Sequence, residues 1–153
     1  MWPILEIALG LVLVVCTLAI HGMGMYLVMH RFELNWPRYF NENNELRRQL
    51  YFSHLIVIML VTHILEVLTI AIVLYGIQAI PSLRTAFYFA GETYTTLGYG
   101  DVILPDHWRQ LALFIAMSGL FGFGWSTGVL VHIVGKTYDA QFAHLRKPSS
   151  NHD

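Results

Sequence analysis

Charged side chains are scarce in this sequence. Only 12% of its 153 residues are charged, whereas 56% are hydrophobic, and a typical soluble domain is about 25% charged. The formal net charge of −1 provides no basic field to attract nucleic acid, so we expect no nucleic-acid partner. The chain also has a single cysteine, Cys16, which excludes a disulfide within one chain.

Three long stretches are almost free of charge. Glu6 is the only charged residue between Pro3 and Met29, Glu66 is the only one between residues 53 and 83, and residues 110–135 contain none. Each stretch exceeds the roughly 20 residues that a helix needs to cross about 30 Å of hydrocarbon. The sequence therefore predicts an all-α membrane protein with three transmembrane helices in a lipid bilayer.

Basic residues predict the orientation of these helices. Positively charged side chains favour the cytoplasmic side of a membrane. They are absent before the first stretch and frequent after the first and third stretches, at Arg31, Arg38, Arg47, Arg48, Lys136, Arg146 and Lys147. We therefore expect the N-terminus outside and the C-terminus in the cytoplasm, in a multi-pass protein of the cell (inner or plasma) membrane.

The chain divides into four predicted segments. They are an N-terminal transmembrane helix at 1–30, a cytoplasmic linker at 31–50, a membrane unit at 51–136 and a short cytoplasmic tail at 137–153.

The membrane unit has parts of its own. They are an outer helix at 51–80, a short helix at 83–95, a glycine-bearing segment at 96–101 and an inner helix at 107–136. The short helix cannot span a membrane and leads into no polar loop, so we expect it to be re-entrant.

The segment after the short helix has the pattern that a potassium ion needs. A dehydrated potassium ion is held by rings of backbone carbonyl oxygens. Glycines at alternate positions, Gly98 and Gly100, permit the positive φ angles that turn successive carbonyls toward one axis. Thr96 adds a hydroxyl at the inner end, and Tyr99 can point outward and brace the segment.

These residues carry a resemblance to a known family. The sequence TTLGYGD at residues 95–101 resembles the potassium channel signature, and residues from about 82 to 135 resemble the pore domain of simple bacterial potassium channels. The resemblance implies a homotetramer that conducts potassium, with no enzymatic activity and no cofactor besides the permeant ion. It also implies a selectivity filter at Thr96, Leu97, Gly98, Tyr99 and Gly100, with K⁺ bound by the backbone carbonyls of Thr96, Leu97, Gly98 and Tyr99.

The same resemblance implies a supporting shell for the filter. Glu92 and Asp101 would form a carboxyl pair behind it that shares one proton, because two carboxylates so close do not both ionise readily. Tyr88 replaces the tryptophan that often bonds the filter aspartate in the family, and Thr95 is expected among the supporting residues. Leu97 stands where valine is commonest.

The resemblance further implies a gate in the last helix. Such inner helices bend at a glycine, which here would be Gly119 or Gly124, although close helix packing explains such glycines equally well. Apolar rings can close a pore by dewetting. The expected gate and pore lining comprises Gly119, Leu120, Phe123, Gly124, Thr127 and Val131.

Three ionisable residues within the first two spans form a separate candidate site. Glu66 and His63 lie three residues apart on one helix face. Counting from the inner membrane surface, His21 lies at a depth of about 13 Å and His63 at about 18 Å. We expect His21, His63 and Glu66 to join the first helix to the second as a buried polar cluster, aided by glycines of the first helix. Structural pairing, proton sensing and a metal site are the open interpretations.

Other functions remain as alternatives. No span has the regularly spaced arginines of a voltage sensor. A nonselective monovalent cation channel would be compatible with the same glycine-bearing segment. A membrane cytochrome would use intramembrane histidines to bind haem, but it is the weaker alternative because His21 and His63 lack obvious histidine partners. An unknown regulatory subunit is a further partner that the sequence leaves open.

Overall fold

All regular secondary structure in the described part of the chain is helical. The computed structural model describes residues 2–41 and 45–141, which contain no strand. The helices are α1 (Trp2–Asn41), α2 (Glu45–Gly76), α3 (Leu83–Tyr94) and α4 (Leu111–Gln141), and a short 3₁₀ turn at Asp106–Trp108 precedes α4.

Three of these helices are long and apolar enough to cross a membrane, which confirms the predicted fold class. They are α1, α2 and α4. With 12 residues, α3 is about 18 Å long and cannot span the hydrocarbon layer. The short helix thus lies between the second and third spans, as the sequence predicts.

The first helix is longer than predicted. Instead of ending near residue 30, α1 continues to Asn41, and α2 already begins at Glu45, so most of the predicted 31–50 linker is helical. The physical reason is that the packing face of α1 continues past its apolar core, since Phe32 belongs to, and Trp36 packs against, the apolar cluster that also includes Leu55 of α2. Residues 42–44 of the predicted linker and 142–153 of the predicted tail lie outside the described residues.

Helix α1 packs against both other spans. It contacts α4 as extensively as α2, whereas α2 and α4 contact each other little. Glycines make this close approach feasible, because a Cβ on Gly10 would lie 2.2 Å from the Phe114 ring and one on Gly24 would lie 2.3 Å from Thr62 Oγ1. Helix α1 therefore packs on the second span, as expected, and also on α4, which was not predicted.

The interior has two apolar clusters with a polar layer between them. One cluster surrounds α3 and includes Ile70, Phe89 and Ile115. The other lies toward the opposite ends of the spans and includes Met25 and Met59. Along α1 and α2, the buried polar side chains His21, Thr62 and Glu66 lie between these clusters.

Candidate functional site

The short helix α3 is fixed at both ends. Ser82 follows Pro81 and caps the helix, because its hydroxyl accepts a hydrogen bond from the Thr85 N–H at 3.4 Å. At the other end the Thr95 hydroxyl donates to the Gly91 carbonyl at 2.8 Å. The chain therefore enters the glycine-bearing segment from a defined helix end.

The backbone of residues 96–100 alternates in handedness. Thr96 has φ +61°, Gly98 has φ +56° and Gly100 has φ +76°, while Leu97 and Tyr99 between them are not in the positive region. Positive φ angles at Gly98 and Gly100 agree with the sequence argument. The positive φ of Thr96 was not foreseen, because a β-branched residue rarely adopts it.

The amide groups of this segment are tied back to α3. The N–H groups of Leu97 and Gly98 both donate to the Glu92 carbonyl, at 2.8 and 3.2 Å. Among the described residues, the carbonyl oxygens of residues 96–99 accept no hydrogen bond. All four residues are exposed. The segment is anchored through its donors and presents its acceptors, which is the arrangement that a cation-binding backbone requires.

The supporting side chains are only partly arranged as expected. Tyr88 donates its hydroxyl to Asp101, with O···O distances of 3.1 and 3.4 Å to the two carboxylate oxygens. Desolvation and this hydrogen bond raise the pKa of Tyr88 above its usual value. The phenol therefore remains protonated at neutral pH and can donate to Asp101.

Within one subunit, Glu92 and Asp101 have different surroundings. Glu92 is buried, and its Oε2 has no hydrogen-bond partner among the described residues. Asp101 is exposed and turned toward Tyr88. No hydrogen bond among the described residues joins the two carboxyl groups, and their pairing stays a prediction.

The two candidate hinge glycines of α4 differ in their surroundings. A Cβ on Gly119 would lie 1.8 Å from the Tyr94 carbonyl oxygen, so Gly119 permits close packing of α4 against α3. Nothing lies within 4 Å of the corresponding position at Gly124. The structure thus favours a packing role for Gly119, and only Gly124 has the free space that a hinge needs.

The other predicted gate residues share an exposed face of α4. Leu120, Thr127 and Val131 are exposed and belong to one helical stripe. Phe123 lies in the same stripe but also stacks on His63, with ring centroids 4.5 Å apart. Within one subunit, this stripe of α4 is therefore not covered by other helices. Phe123 connects the stripe to the polar layer through His63.

The predicted polar cluster forms a closed ring of hydrogen bonds. His21 Nδ1 lies 2.8 Å from Glu66 Oε1, and the Tyr94 hydroxyl donates to Glu66 Oε2. His63 Nδ1 lies 2.8 Å from the Tyr94 hydroxyl oxygen, and His63 Nε2 lies 3.1 Å from Ser126 Oγ. Ser126 Oγ lies 3.3 Å from His21 Nε2, which closes the ring.

Sequence reasoning found three members of this ring and missed two. Tyr94 comes from α3 and Ser126 from α4, so the ring joins all four helices rather than only the first two. Gly122 was a further missed signal, because a Cβ there would lie 2.7 Å from the Tyr94 hydroxyl and 3.4 Å from His21 Nδ1. A polar residue and a glycine one turn apart on an apolar helix indicate a neighbouring polar group, but not which one.

Comparison with known proteins bears on the region that contains these features. Residues 62–136 match a family model described as "Ion channel". This part of the chain resembles ion channels. The matched region begins in α2, contains α3 and the segment 96–101, and includes most of α4. Searches of curated proteins and of solved structures found no match to the chain.

The match supports an ion channel in a multi-pass membrane protein. The 62–136 region includes Glu66, His63, Tyr94 and Ser126, but α1 with His21 lies outside it. The matched region is therefore combined with a helix that the family model does not describe.

Proposed function

We propose that the chain is the subunit of a potassium-selective channel and that four copies surround one filter made of residues 96–100. The observation that carries this proposal is the alternation of positive φ at residues 96, 98 and 100, together with carbonyls at 96–99 that accept no hydrogen bond within the subunit. Stacked rings of such carbonyls replace the water around potassium.

Exposure of the same segment supports the proposed assembly. Leu97 is 56% exposed and Tyr99 is 70% exposed in one subunit. Irregular backbone at membrane depth is tolerated only against protein or a water-filled cavity, so the exposed segment 96–100 needs protein around it. Neighbouring copies can supply those contacts and set the filter diameter.

The orientation that we propose places the outer mouth at Asp101. The N-terminus then lies outside and the C-terminus in the cytoplasm. Near the cytoplasmic side, Lys136 of α4 bonds Glu33 of α1, at 2.7 and 2.8 Å from the two carboxylate oxygens. The carboxyl end of α3 points its partial negative charge toward the pore interior, which favours a cation there.

A nonselective cation channel is the second candidate. It would have the same backbone at residues 96–100, but looser packing behind Leu97 and Tyr99 in the assembled pore, so that the filter adapts to smaller ions. The haem alternative has less support, since all four ring nitrogens of His21 and His63 are engaged within the subunit.

Gly98→Ala tests the filter assignment. An L-residue held at φ near +56° costs about 1–2 kcal/mol per subunit, or roughly 4–8 kcal/mol for four copies. We expect the filter to lose its shape and its preference for potassium over sodium, measured as the reversal potential in planar bilayers. Gly128→Ala is the matched control, because Gly128 has open space and no positive φ. A Gly98→Ala channel as selective as the wild type would refute the assignment.

A further inference from the structure

The ring of hydrogen bonds formed by His21, Glu66, Tyr94, His63 and Ser126 is short of one proton when Glu66 is ionised and both histidines are neutral. Its five bonds need five donated protons. In that state only four are present, one each on His21, His63, Tyr94 and Ser126, because a carboxylate donates none.

The directions of the bonds show where the shortage falls. Tyr94 donates to Glu66, so His63 must donate from Nδ1 to the Tyr94 oxygen, and His21 donates from Nδ1 to the carboxylate. The Nε2 atoms of both histidines then face Ser126 as acceptors. The Ser126 hydroxyl has one proton, so one of its two histidine contacts is a repulsion between lone pairs. Its alternative acceptor, Met25 Sδ at 3.7 Å, does not remove this shortage.

One added proton completes the ring and neutralises it. If the carboxyl of Glu66 holds the proton, every group donates once and accepts once around the circle, and no member is charged. If a histidine holds it, the ring contains one imidazolium and one carboxylate. Both arrangements have five satisfied bonds and zero net charge, whereas the four-proton state leaves a net charge of −1 in the membrane interior.

We propose that this ring is a proton-binding site that takes up one shared proton and couples it to the filter. The surrounding elements supply no competing charge: α1 contributes His21, α2 contributes His63 and Glu66, α3 contributes Tyr94, and α4 contributes the uncharged Ser126. Glu92 is the other acid on α3, and it lies on the face of Tyr88 rather than that of Tyr94. In the described part of the chain, no other charged side chain is bonded to the ring.

Tyr94 provides the coupling. Its side chain belongs to the ring, its carbonyl oxygen abuts Gly119 of α4, and it stands two residues before the first filter residue, Thr96. Loss of the shared proton weakens the bonds that hold the end of α3, where the filter begins. This also explains the presence of α1, which supplies one of the five ring members.

A metal ion is the competing occupant. The ligand atoms of His21, His63 and Glu66 lie within 4.8 Å of one another, which admits a metal by distance alone. Tetrahedral zinc with bonds of about 2.0–2.1 Å requires ligand atoms roughly 3.3–3.5 Å apart. All four histidine nitrogens are already hydrogen-bonded, so metal binding would have to open the ring. The closed ring therefore favours the proton.

Glu66→Gln tests the proposal sharply, because the amide reproduces the protonated ring. Its NH₂ donates to His21 and its carbonyl accepts from Tyr94, so five bonds are satisfied without any titratable carboxyl. Ser126→Ala does the opposite, since it removes both bonds of Ser126, including the one that needs the fifth proton. Ser118→Ala is its matched control, because the buried Ser118 hydroxyl bonds only carbonyls of its own helix.

The first measurement requires no conduction. Infrared difference spectra of the purified protein, taken between about pH 5 and pH 8, report protonation of buried carboxyl and imidazole groups. We expect a proton-uptake signal in the wild type and in Ser118→Ala, its loss in Glu66→Gln, and a midpoint about one pH unit lower in Ser126→Ala. A wild type without this signal, or Glu66→Gln with it, would overturn the proposal. Uptake that is abolished by stoichiometric zinc binding would assign the site to a metal.

The second measurement tests the coupling, which rests on the proposed channel function. Potassium flux from liposomes should vary with pH in the wild type and stay at its acid-pH value in Glu66→Gln at every pH. A Glu66→Gln flux that follows the wild-type pH profile would disprove the coupling. Absence of flux from all variants, with the infrared signal intact, would refute the channel function and leave the proton site standing.

Discussion

Gly119→Ala is the substitution whose effect the structure specifies best. The added Cβ would lie 1.8 Å from the Tyr94 carbonyl oxygen, whereas ordinary contact begins near 3.4 Å. Helices α3 and α4 would have to separate by about 1.6 Å, which is the difference between these two distances. The obstacle is backbone rather than a flexible side chain, so no rotamer change can relieve it.

The expected cost is at the upper end of overpacking penalties. Such insertions typically cost 1–3 kcal/mol, and we expect about 3 kcal/mol or more here. At roughly 2–4 °C per kcal/mol for a chain of this size, the unfolding temperature should fall by about 6–12 °C. The measurement is thermal unfolding of the purified protein in detergent, followed by size-exclusion chromatography of the heated samples.

Gly124→Ala is the matched control on the same helix. Nothing lies within 4 Å of its added Cβ, and replacing glycine with alanine within a helix is favourable by up to about 1 kcal/mol. We expect an unchanged or slightly higher unfolding temperature. If Gly124 is the hinge, the same variant changes channel opening without lowering stability. Equal unfolding temperatures for Gly119→Ala and the wild type would refute the close contact between α3 and α4.

Three further substitutions test contacts at the two ends of the spans. Glu6→Ala removes a buried carboxylate that accepts the backbone N–H just before α4, and it should destabilise the protein by about 0.5–2 kcal/mol in thermal unfolding, as loss of a helix cap does. Tyr88→Phe removes the donor to Asp101, and bilayer recordings should show current that declines faster than in the wild type; an unchanged decline would refute a supporting role. Lys136→Ala breaks a half-exposed ion pair, and its effect on the unfolding temperature should correspond to less than about 1 kcal/mol.

The helical architecture could be predicted because its signals are local. Scarcity of charge defined three spans, and Pro81 with Ser82 marked the start of the short helix. The length of α1 could not be predicted in this way, because Phe32 and Trp36 continue a packing face into a polar sequence. Tertiary contacts, rather than hydropathy, decide where that helix ends.

A candidate site could be predicted where it depends on residues close together in the sequence. Gly98 and Gly100 indicated the alternating backbone directly, since positive φ is a property of single residues. The polar ring needs five side chains from four helices, and matching depths could find only His21, His63 and Glu66. Tyr94 joins them because α3 packs beside α2, and such a placement is not encoded at any single position.

The contact between Gly119 and Tyr94 shows the same limit. A glycine within an inner helix is compatible with bending or with packing, and the sequence leaves both open. The choice depends on what lies opposite the glycine, which only the fold determines. Gly119 faces a carbonyl oxygen and Gly124 faces open space, so two similar residues five positions apart have different roles.

Ion flux from liposomes that contain the purified wild-type protein tests the central claim most directly. Potassium and sodium efflux are measured in parallel, with barium as a blocker of potassium-selective filters. We predict potassium efflux that barium stops, with little sodium efflux. Equal potassium and sodium efflux would contradict the proposed selectivity of residues 96–100, and would favour the nonselective cation channel instead.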